Sequence, residues 1–171
     1  LPYKIFKLFV ANILILCENN KLFIYKTFCN MKPKDLFMQI LYIIWGLPQV
    51  LVGLCMLPFL GLLRFIRYEN YCWIFEGEKM AGGISLGCFI FLSKYNSGKE
   101  ATIRHELGHI KQSHILGPLY LILGLCSLLN AIFNFTDCYY DYWCESWANK
   151  LGGVEKVGKG YGCSIKIKED N

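Results

Sequence analysis

Two histidines and a glutamate in the segment His105-Glu106-Leu107-Gly108-His109 have types and a spacing that suit metal chemistry. Residues four positions apart lie on one face of an α-helix, one above the other, so both imidazoles can point to the same ion. Such a pair is typical of Zn²⁺ sites, and the glutamate between them is placed to act on water as a general base. The segment therefore predicts a zinc site with His105 and His109 as ligands and Glu106 as the catalytic base.

A catalytic zinc ion usually takes three protein ligands, so a third must come from another part of the chain. His114 is a poor candidate because it lies about 140° around the helix from His109. Glu145 is a better one, since it forms Glu-x-x-Ala with Ala148, a small residue that would let a second helix approach the HELGH helix closely. Asp141, one turn earlier, could ligate or could orient a histidine. We expect Glu145 to complete the site; the alternative is that both carboxylates belong to a solvated face.

The segments on either side of HELGH predict the elements that position it. Ser97-Gly-Lys-Glu100 has the form of a capping box, which favours a helix start, and Gly117-Pro118 predicts the helix end. Residues 84–92 are rich in β-branched and aromatic side chains and predict a strand that leads into this helix.

The helix that carries Glu145 is expected to begin near Thr136 or Asp137 and to end at Gly152-Gly153. Cys138 and Cys144 lie near Glu145 in the sequence, but a thiolate is more typical of structural zinc sites, so neither is predicted to be a ligand.

The order HELGH, then Glu145-x-x-Ala148, resembles the gluzincin class of zinc metallopeptidases, and the membrane-embedded peptidases of the HtpX and Ste24 type in particular. Over about residues 84–153 the chain is more closely similar to small, uncharacterised bacterial membrane proteins of zincin type. The resemblance implies a minimal zincin-like core of a strand, the HExxH helix and the glutamate helix. It also implies zinc bound by His105, His109 and Glu145, with Glu106 as the general base.

One position departs from the pattern of the larger peptidases. Their glutamate motif usually continues to an aspartate, and this chain has Asn149 there. An asparagine can accept a hydrogen bond but carries no charge.

Residues 36–63 predict a membrane anchor in a chain that is 54% hydrophobic. They contain no charged side chain and are followed by Arg64 and Arg67. A helix of this length would measure about 42 Å against a hydrocarbon core of about 30 Å, so a single kinked or tilted span fits. The alternative is a buried core helix, which a chain of 171 residues has little material to cover.

Residues 116–135 are a second stretch without charge. If they crossed the bilayer, HELGH and Glu145 would lie on opposite faces and could not share a metal. Gly117-Pro118, Gly124 and Asn130 interrupt the run, and we therefore expect a re-entrant or interfacial helical hairpin. The alternative is that the segment spans the membrane and Glu145 is not a ligand.

Four segments follow from these patterns. Residues 1–30 are expected to be an over-extended reading frame or a poorly ordered extension, because Met31 reads as a natural start. Residues 31–67 are the expected membrane anchor, residues 68–153 the zincin-like metal-binding domain, and residues 154–171 a polar tail.

Charge and cysteine content bear on partners and location. A net charge of +5 suits anionic lipid headgroups, and no interleaved basic and aromatic stripe predicts binding to nucleic acid. Seven basic and five acidic side chains between Arg64 and Lys111 favour placing the HELGH segment on the cytoplasmic side of the membrane. The resemblance to bacterial membrane proteins implies that this membrane is a bacterial inner membrane. The nine cysteines include no C-x-x-C pair, which predicts free thiols in a reducing compartment.

Together these patterns predict an α+β protein, mainly helical, with one N-terminal transmembrane helix and an apolar hairpin. The expected function is that of a membrane-associated zinc metallopeptidase that acts on a peptide or protein substrate. The alternative is a zinc-binding membrane accessory protein without catalytic activity. An intramembrane protease of the site-2 type is disfavoured, because that type needs a downstream Asp-Gly and the chain has none.

Overall fold

The computed structural model describes residues 31–169, so the expectations for residues 1–30 lie outside it. The described chain is α+β and mainly helical, as predicted. Its helices are α1 (Pro33–Trp45), α2 (Leu47–Met56), α3 (Glu100–Leu116), α4 (Tyr120–Phe133) and α5 (Trp143–Gly152). Its strands are β1 (Leu63–Glu69), β2 (Cys72–Gly77), β3 (Gly83–Leu86), β4 (Phe89–Leu92), β5 (Val154–Val157) and β6 (Ser164–Ile167).

The first four strands form one sheet in the order β1-β2-β4-β3. β2 and β4 are parallel, whereas β1 pairs with β2 and β3 with β4 in antiparallel fashion. The prediction of a single strand over residues 84–92 was wrong, because the chain turns at Gly87, which has φ of +62°, a conformation that glycine adopts without strain. The turn makes β3 an edge strand beside the HELGH helix.

The two faces of this sheet follow from the alternation of side chains along β2 and β4. One face is aromatic and packs against α1 and α2, and its central residues are Trp73, Phe75, Phe89 and Phe91. The other face is aliphatic and packs against Ile103, Leu107 and Ile110 of α3, and its residues are Cys72, Ile74, Ile90 and Leu92. The sheet therefore lies between the N-terminal helices and the HELGH helix.

The region predicted as one kinked or tilted span, residues 36–63, contains two helices, α1 and α2, which are bent by 86° at Gly46 and form either a broken span or a re-entrant loop. Pro48 stands in the first turn of α2, where its missing N–H is tolerated and where it cannot continue α1. A domain boundary after residue 67 would fall within β1, which pairs with β2. The N-terminal segment and the metal-binding segment therefore share one core.

Residues 116–135 do not form a hairpin by themselves. A 3₁₀ turn at Gly117–Leu119 leads into the single helix α4. Among residues 31–169, Glu100–Phe133 is the one helix that is long and apolar enough to cross a membrane. The bent pair of α1 and α2, taken together, is also long and apolar enough to do so.

The contacts of α3 and α4 show that Glu100–Phe133 is not one straight rod. His109 and Ser127 would be about 27 Å apart along a continuous helix. Both nevertheless contact Glu145. The chain therefore turns back at Gly117-Pro118, and α3 and α4 are the two arms of the turn.

Both predicted helix caps were wrong. α3 begins at Glu100 without a capping box, because Ser97 donates a hydrogen bond to Glu76, and Glu100 binds Arg67 with distances of 3.0 and 3.1 Å. α5 begins at Trp143 rather than near residue 136, where the Thr136 hydroxyl donates to the carbonyl of Cys138.

α3 and α5 pack closely because their contact is made of small residues. A side-chain carbon on Gly108 would collide with the carbonyl of Ala148, and one on Gly152 would collide with the carbonyl of Arg104. The predicted role of Ala148 in bringing the two helices together is thus consistent with the packing. α5 ends at Gly152, followed by Gly153 with φ of +68°, as the two glycines predicted.

The predicted polar tail contains the antiparallel hairpin β5–β6, so the expectation of a poorly ordered end was wrong. The expectation of free thiols was wrong for Cys138 and Cys163, which form a disulfide with their Cα atoms 5.9 Å apart, whereas the five other cysteines of the described residues are free. This bond ties the C-terminal hairpin to the segment that precedes α5.

Candidate metal centre

Three buried side chains from α3 and α5 place one ligand atom each around a common point. The Nε2 atoms of His105 and His109 lie 3.1 and 3.2 Å from Oε2 of Glu145. All three ligand atoms lie within 4.8 Å of one another, and each of the three residues is buried. Among residues 31–169 this is the group of His, Cys, Asp or Glu side chains that could hold a metal ion.

The Nδ1 atom of each histidine is held by an amide oxygen. Nδ1 of His105 is 2.7 Å from Oδ1 of Asn149, and Nδ1 of His109 is 2.8 Å from Oε1 of Gln112. The amide nitrogen of Gln112 donates to the carbonyl of Cys144, which fixes the oxygen toward His109. An amide oxygen accepts a hydrogen bond from each Nδ1, so Nε2 is the atom that faces Glu145. In the protonated ring Nε2 donates to the carboxylate, and after loss of that proton its lone pair would be available to a metal ion.

Glu145 is ionised despite its burial. Burial alone would raise the pKa of its carboxyl, but hydrogen bonds from His105 and His109 outweigh that effect and hold the pKa well below its usual range. Its other oxygen accepts a hydrogen bond from Ser127 of α4. Burial raises the pKa of the neighbouring Cys144 thiol to about 12.

Glu106 lies beside this cluster and is hydrogen-bonded to the edge strand β3. The Ser85 hydroxyl donates to its Oε2 at 2.7 Å and lies 3.0 Å from its backbone carbonyl. A side chain at Gly83 would contact Oε1 of Glu106 and displace the carboxylate from its present position. The sheet therefore sets the position of the predicted general base.

A cavity of about 510 Å³ opens beside the cluster and is lined by both Glu106 and His109. β3 forms one side of it, and α2 and α4 form the others. Most of the wall is apolar, and Val52, Leu125 and Leu128 belong both to the cavity and to the exposed apolar surface. The cavity is thus continuous with the outer apolar faces of α2 and α4.

Two residues weighed for the site lie outside it. His114 stacks on Tyr42, with ring centroids 3.6 Å apart. Asp141 is exposed and pairs with Lys156 at 2.6 Å, so the prediction that it ligates or orients a histidine was wrong. Asn149 takes the orienting position instead.

Sequence reasoning missed Gln112, Ser85 and Ser127. Gln112 carried a usable signal, because it follows His109 by three positions and so lies on the same helix face. Ser85 and Ser127 reach the site from β3 and α4, and no local spacing relates them to the HELGH helix.

The donor set is suited to a metal ion. Two imidazole nitrogens and one carboxylate oxygen are the ligands of one group of catalytic zinc sites, and their burial together is otherwise costly. Comparisons with protein families, with curated proteins and with solved structures give no match to this chain.

Proposed function

We propose that this chain is a membrane-associated zinc metallopeptidase of the gluzincin type, acting on a peptide or protein substrate. The observation that carries the proposal is the convergence of His105, His109 and Glu145, with all three ligand atoms within 4.8 Å, next to a cavity that Glu106 also lines. Zinc at such a site lowers the pKa of a bound water to about 7 and polarises a carbonyl.

The chain's own residues would divide the remaining work. Asn149 and Gln112 hold the histidine rings so that Nε2 faces the ligand position. Ser85 holds Glu106, which would accept a proton from the attacking water and pass it to the leaving amine. The cavity walls would exclude bulk water and receive an apolar part of the substrate.

Membrane association is supported by the outer faces of the helices. Large apolar side chains are exposed on α1, α2 and α4, including Phe37, Ile44, Leu51, Ile122, Leu125 and Ile132. Contiguous apolar surface of this kind is uncommon on soluble monomers and is typical of membrane or protein contact. We infer that these faces lie in lipid.

The substitution Glu106→Gln tests the hydrolytic mechanism. The amide keeps the shape and can still bond to Ser85, but it cannot act as a base. We expect unchanged zinc content and a loss of about 10²–10⁴-fold in cleavage rate. Protein purified in detergent would be assayed for zinc and for cleavage of unfolded casein.

Glu78→Gln is the matched control, because Glu78 is exposed and outside the site. Undiminished cleavage by Glu106→Gln would contradict the mechanism. Zinc bound without turnover in the wild type would favour the accessory protein without catalytic activity.

A further inference from the structure

The two oxygens of Glu145 have different partners. Oε2 faces the two histidine Nε2 atoms, at 3.1 and 3.2 Å. Oε1 accepts a hydrogen bond from the Ser127 hydroxyl. Ser127 belongs to α4, whose sequence YLILGLCSLLNAIF is otherwise almost entirely apolar. A single hydroxyl of the apolar helix is thus directed at the carboxylate of the candidate metal centre.

The hydrogen bonds that link Tyr139, Ser127 and Glu145 have a defined direction. In this contact the Ser127 hydroxyl is the donor and Oε1 of Glu145 is the acceptor. The Tyr139 hydroxyl lies 2.8 Å from the Ser127 oxygen. Since the serine proton is already used, Tyr139 must donate to Ser127, and the chain of donation runs from tyrosine to serine to glutamate.

The position of Tyr139 is itself held by α4. Nδ2 of Asn130, the next polar side chain along the helix, lies 3.4 Å from the carbonyl of Tyr139. The tyrosine ring is 36% exposed, while its hydroxyl faces inward to Ser127. Ser127 of α4 therefore binds the carboxylate on α5, and Asn130 of α4 binds the loop before α5.

A carboxylate with both oxygens free rotates easily, because the torsion that turns it has a broad energy profile. A hydrogen bond to one oxygen limits that rotation and keeps the other oxygen directed at the ligand position. Hydrogen bonds that orient a metal ligand in this way typically change metal affinity by about 10–100-fold.

We propose that Ser127 is a positioning residue for the metal centre, with Tyr139 supporting it, so that α4 sets which oxygen of Glu145 faces the metal. The inference rests on the proposed function in one respect, namely that His105, His109 and Glu145 hold a metal. It adds that α4 orients a metal ligand through Ser127, in addition to any contact that this helix makes with lipid.

Metal binding by Ser127→Ala, Ser127→Thr and Tyr139→Phe tests the proposal. Zinc affinity would be measured in detergent by competition with a chelator, and the absorption spectrum of the Co²⁺ form would report the ligand geometry. We expect Ser127→Ala to lower zinc affinity by about 10–100-fold and to alter the Co²⁺ spectrum. Ser127→Thr, which keeps the hydroxyl, should restore most of the affinity, and Tyr139→Phe should show a smaller loss.

Ser146→Ala is the matched control, since it makes the same chemical change one position from Glu145, on a side chain that lines a different pocket. Wild-type affinity and spectrum in Ser127→Ala would overturn the proposal. If Ser127→Ala does not fold, wild-type affinity in Tyr139→Phe would overturn it. A wild-type protein that binds no metal would instead refute the proposed function, and the two failures are therefore distinct.

Discussion

The three histidines of the chain differ in what their rings face. His105 and His109 direct Nε2 at Glu145, whereas His114 stacks on Tyr42, with a buried Nε2 that has no hydrogen-bond partner in the described part of the chain. The difference follows from helix geometry, because positions 105 and 109 share a face and position 114 does not.

We expect the purified protein to hold about one zinc ion per chain, as a three-ligand site implies. His105→Ala, His109→Ala and Glu145→Ala should each remove it, because each variant takes away a ligand atom. His114→Ala is the control and should leave the metal content unchanged. Metal analysis of the four variants would contradict this ligand set if His114→Ala lost zinc and Glu145→Ala kept it.

At the residue scale, sequence spacing predicted the parts of the site that lie within one helix. His105, Glu106 and His109 come from one short motif, and Glu145 was predicted from Glu-x-x-Ala, whereas Asn149 was noted only as a departure from the family pattern. The structure brings the two histidines, the glutamate and the asparagine together. Ser85 and Ser127 could not be predicted, because their role depends on how β3 and α4 pack against the two helices.

The crossing of α3 and α5 depends on the absence of a side chain at one position. Gly108→Ala would place a carbon against the carbonyl of Ala148, and overpacking of this kind costs about 1–3 kcal/mol. We therefore expect a lower free energy of unfolding and weaker zinc binding, because α5 carries Glu145. Chemical denaturation in detergent would measure the first quantity and chelator competition the second.

Gly124→Ala is the matched control, since both glycines lie within helices and a carbon at position 124 would meet no atom within 4 Å. The free energy of unfolding of this variant should instead rise by about 0.5–1 kcal/mol, because alanine loses less conformational entropy than glycine when a helix forms. Equal effects at the two positions would show that the helix crossing is not tight.

At the element scale, sequence signals located the helical regions but only the strand region of residues 84–92, and β1, β2, β5 and β6 were not predicted. The Ser97-x-x-Glu100 pattern failed as a capping box because Glu76 and Arg67, which come from strands far along the chain, hold its two side chains. The turn at Gly87 split a predicted strand in two. Sequence patterns report on residues that are close along the chain, whereas this helix cap and this strand break depend on residues that are distant in sequence and close in the fold.

The disulfide between Cys138 and Cys163 closes a loop of 25 residues that contains α5. We expect Cys163→Ser to lower the free energy of unfolding by about 3.5 kcal/mol under oxidising conditions, from the loop entropy that the bond removes. Cys55→Ser, which changes an exposed free thiol, is the control. Equal stability of the two variants in denaturant titrations would show that the bond does not form.

At the scale of the whole molecule, the disulfide bears on the compartment in which the chain is expected. Disulfides persist in oxidising compartments, so the reducing compartment predicted from free thiols does not fit Cys138 and Cys163. The number of cysteines gave no sign of this pair, because their partnership depends on the fold of the C-terminal hairpin beside α5.

If α1 and α2 lie in lipid, as proposed above, the 86° bend between them has a consequence for the lipid itself. With 13 and 10 residues, these helices are about 20 and 15 Å long, each shorter than a hydrocarbon core of about 30 Å. Bent across each other, they would act as a wedge that enlarges one leaflet without entering the other. Such a wedge inserts more easily where curvature has already spread the headgroups. We therefore expect tighter binding to small vesicles than to large ones of the same composition, and equal binding in a flotation assay would argue against a one-leaflet anchor.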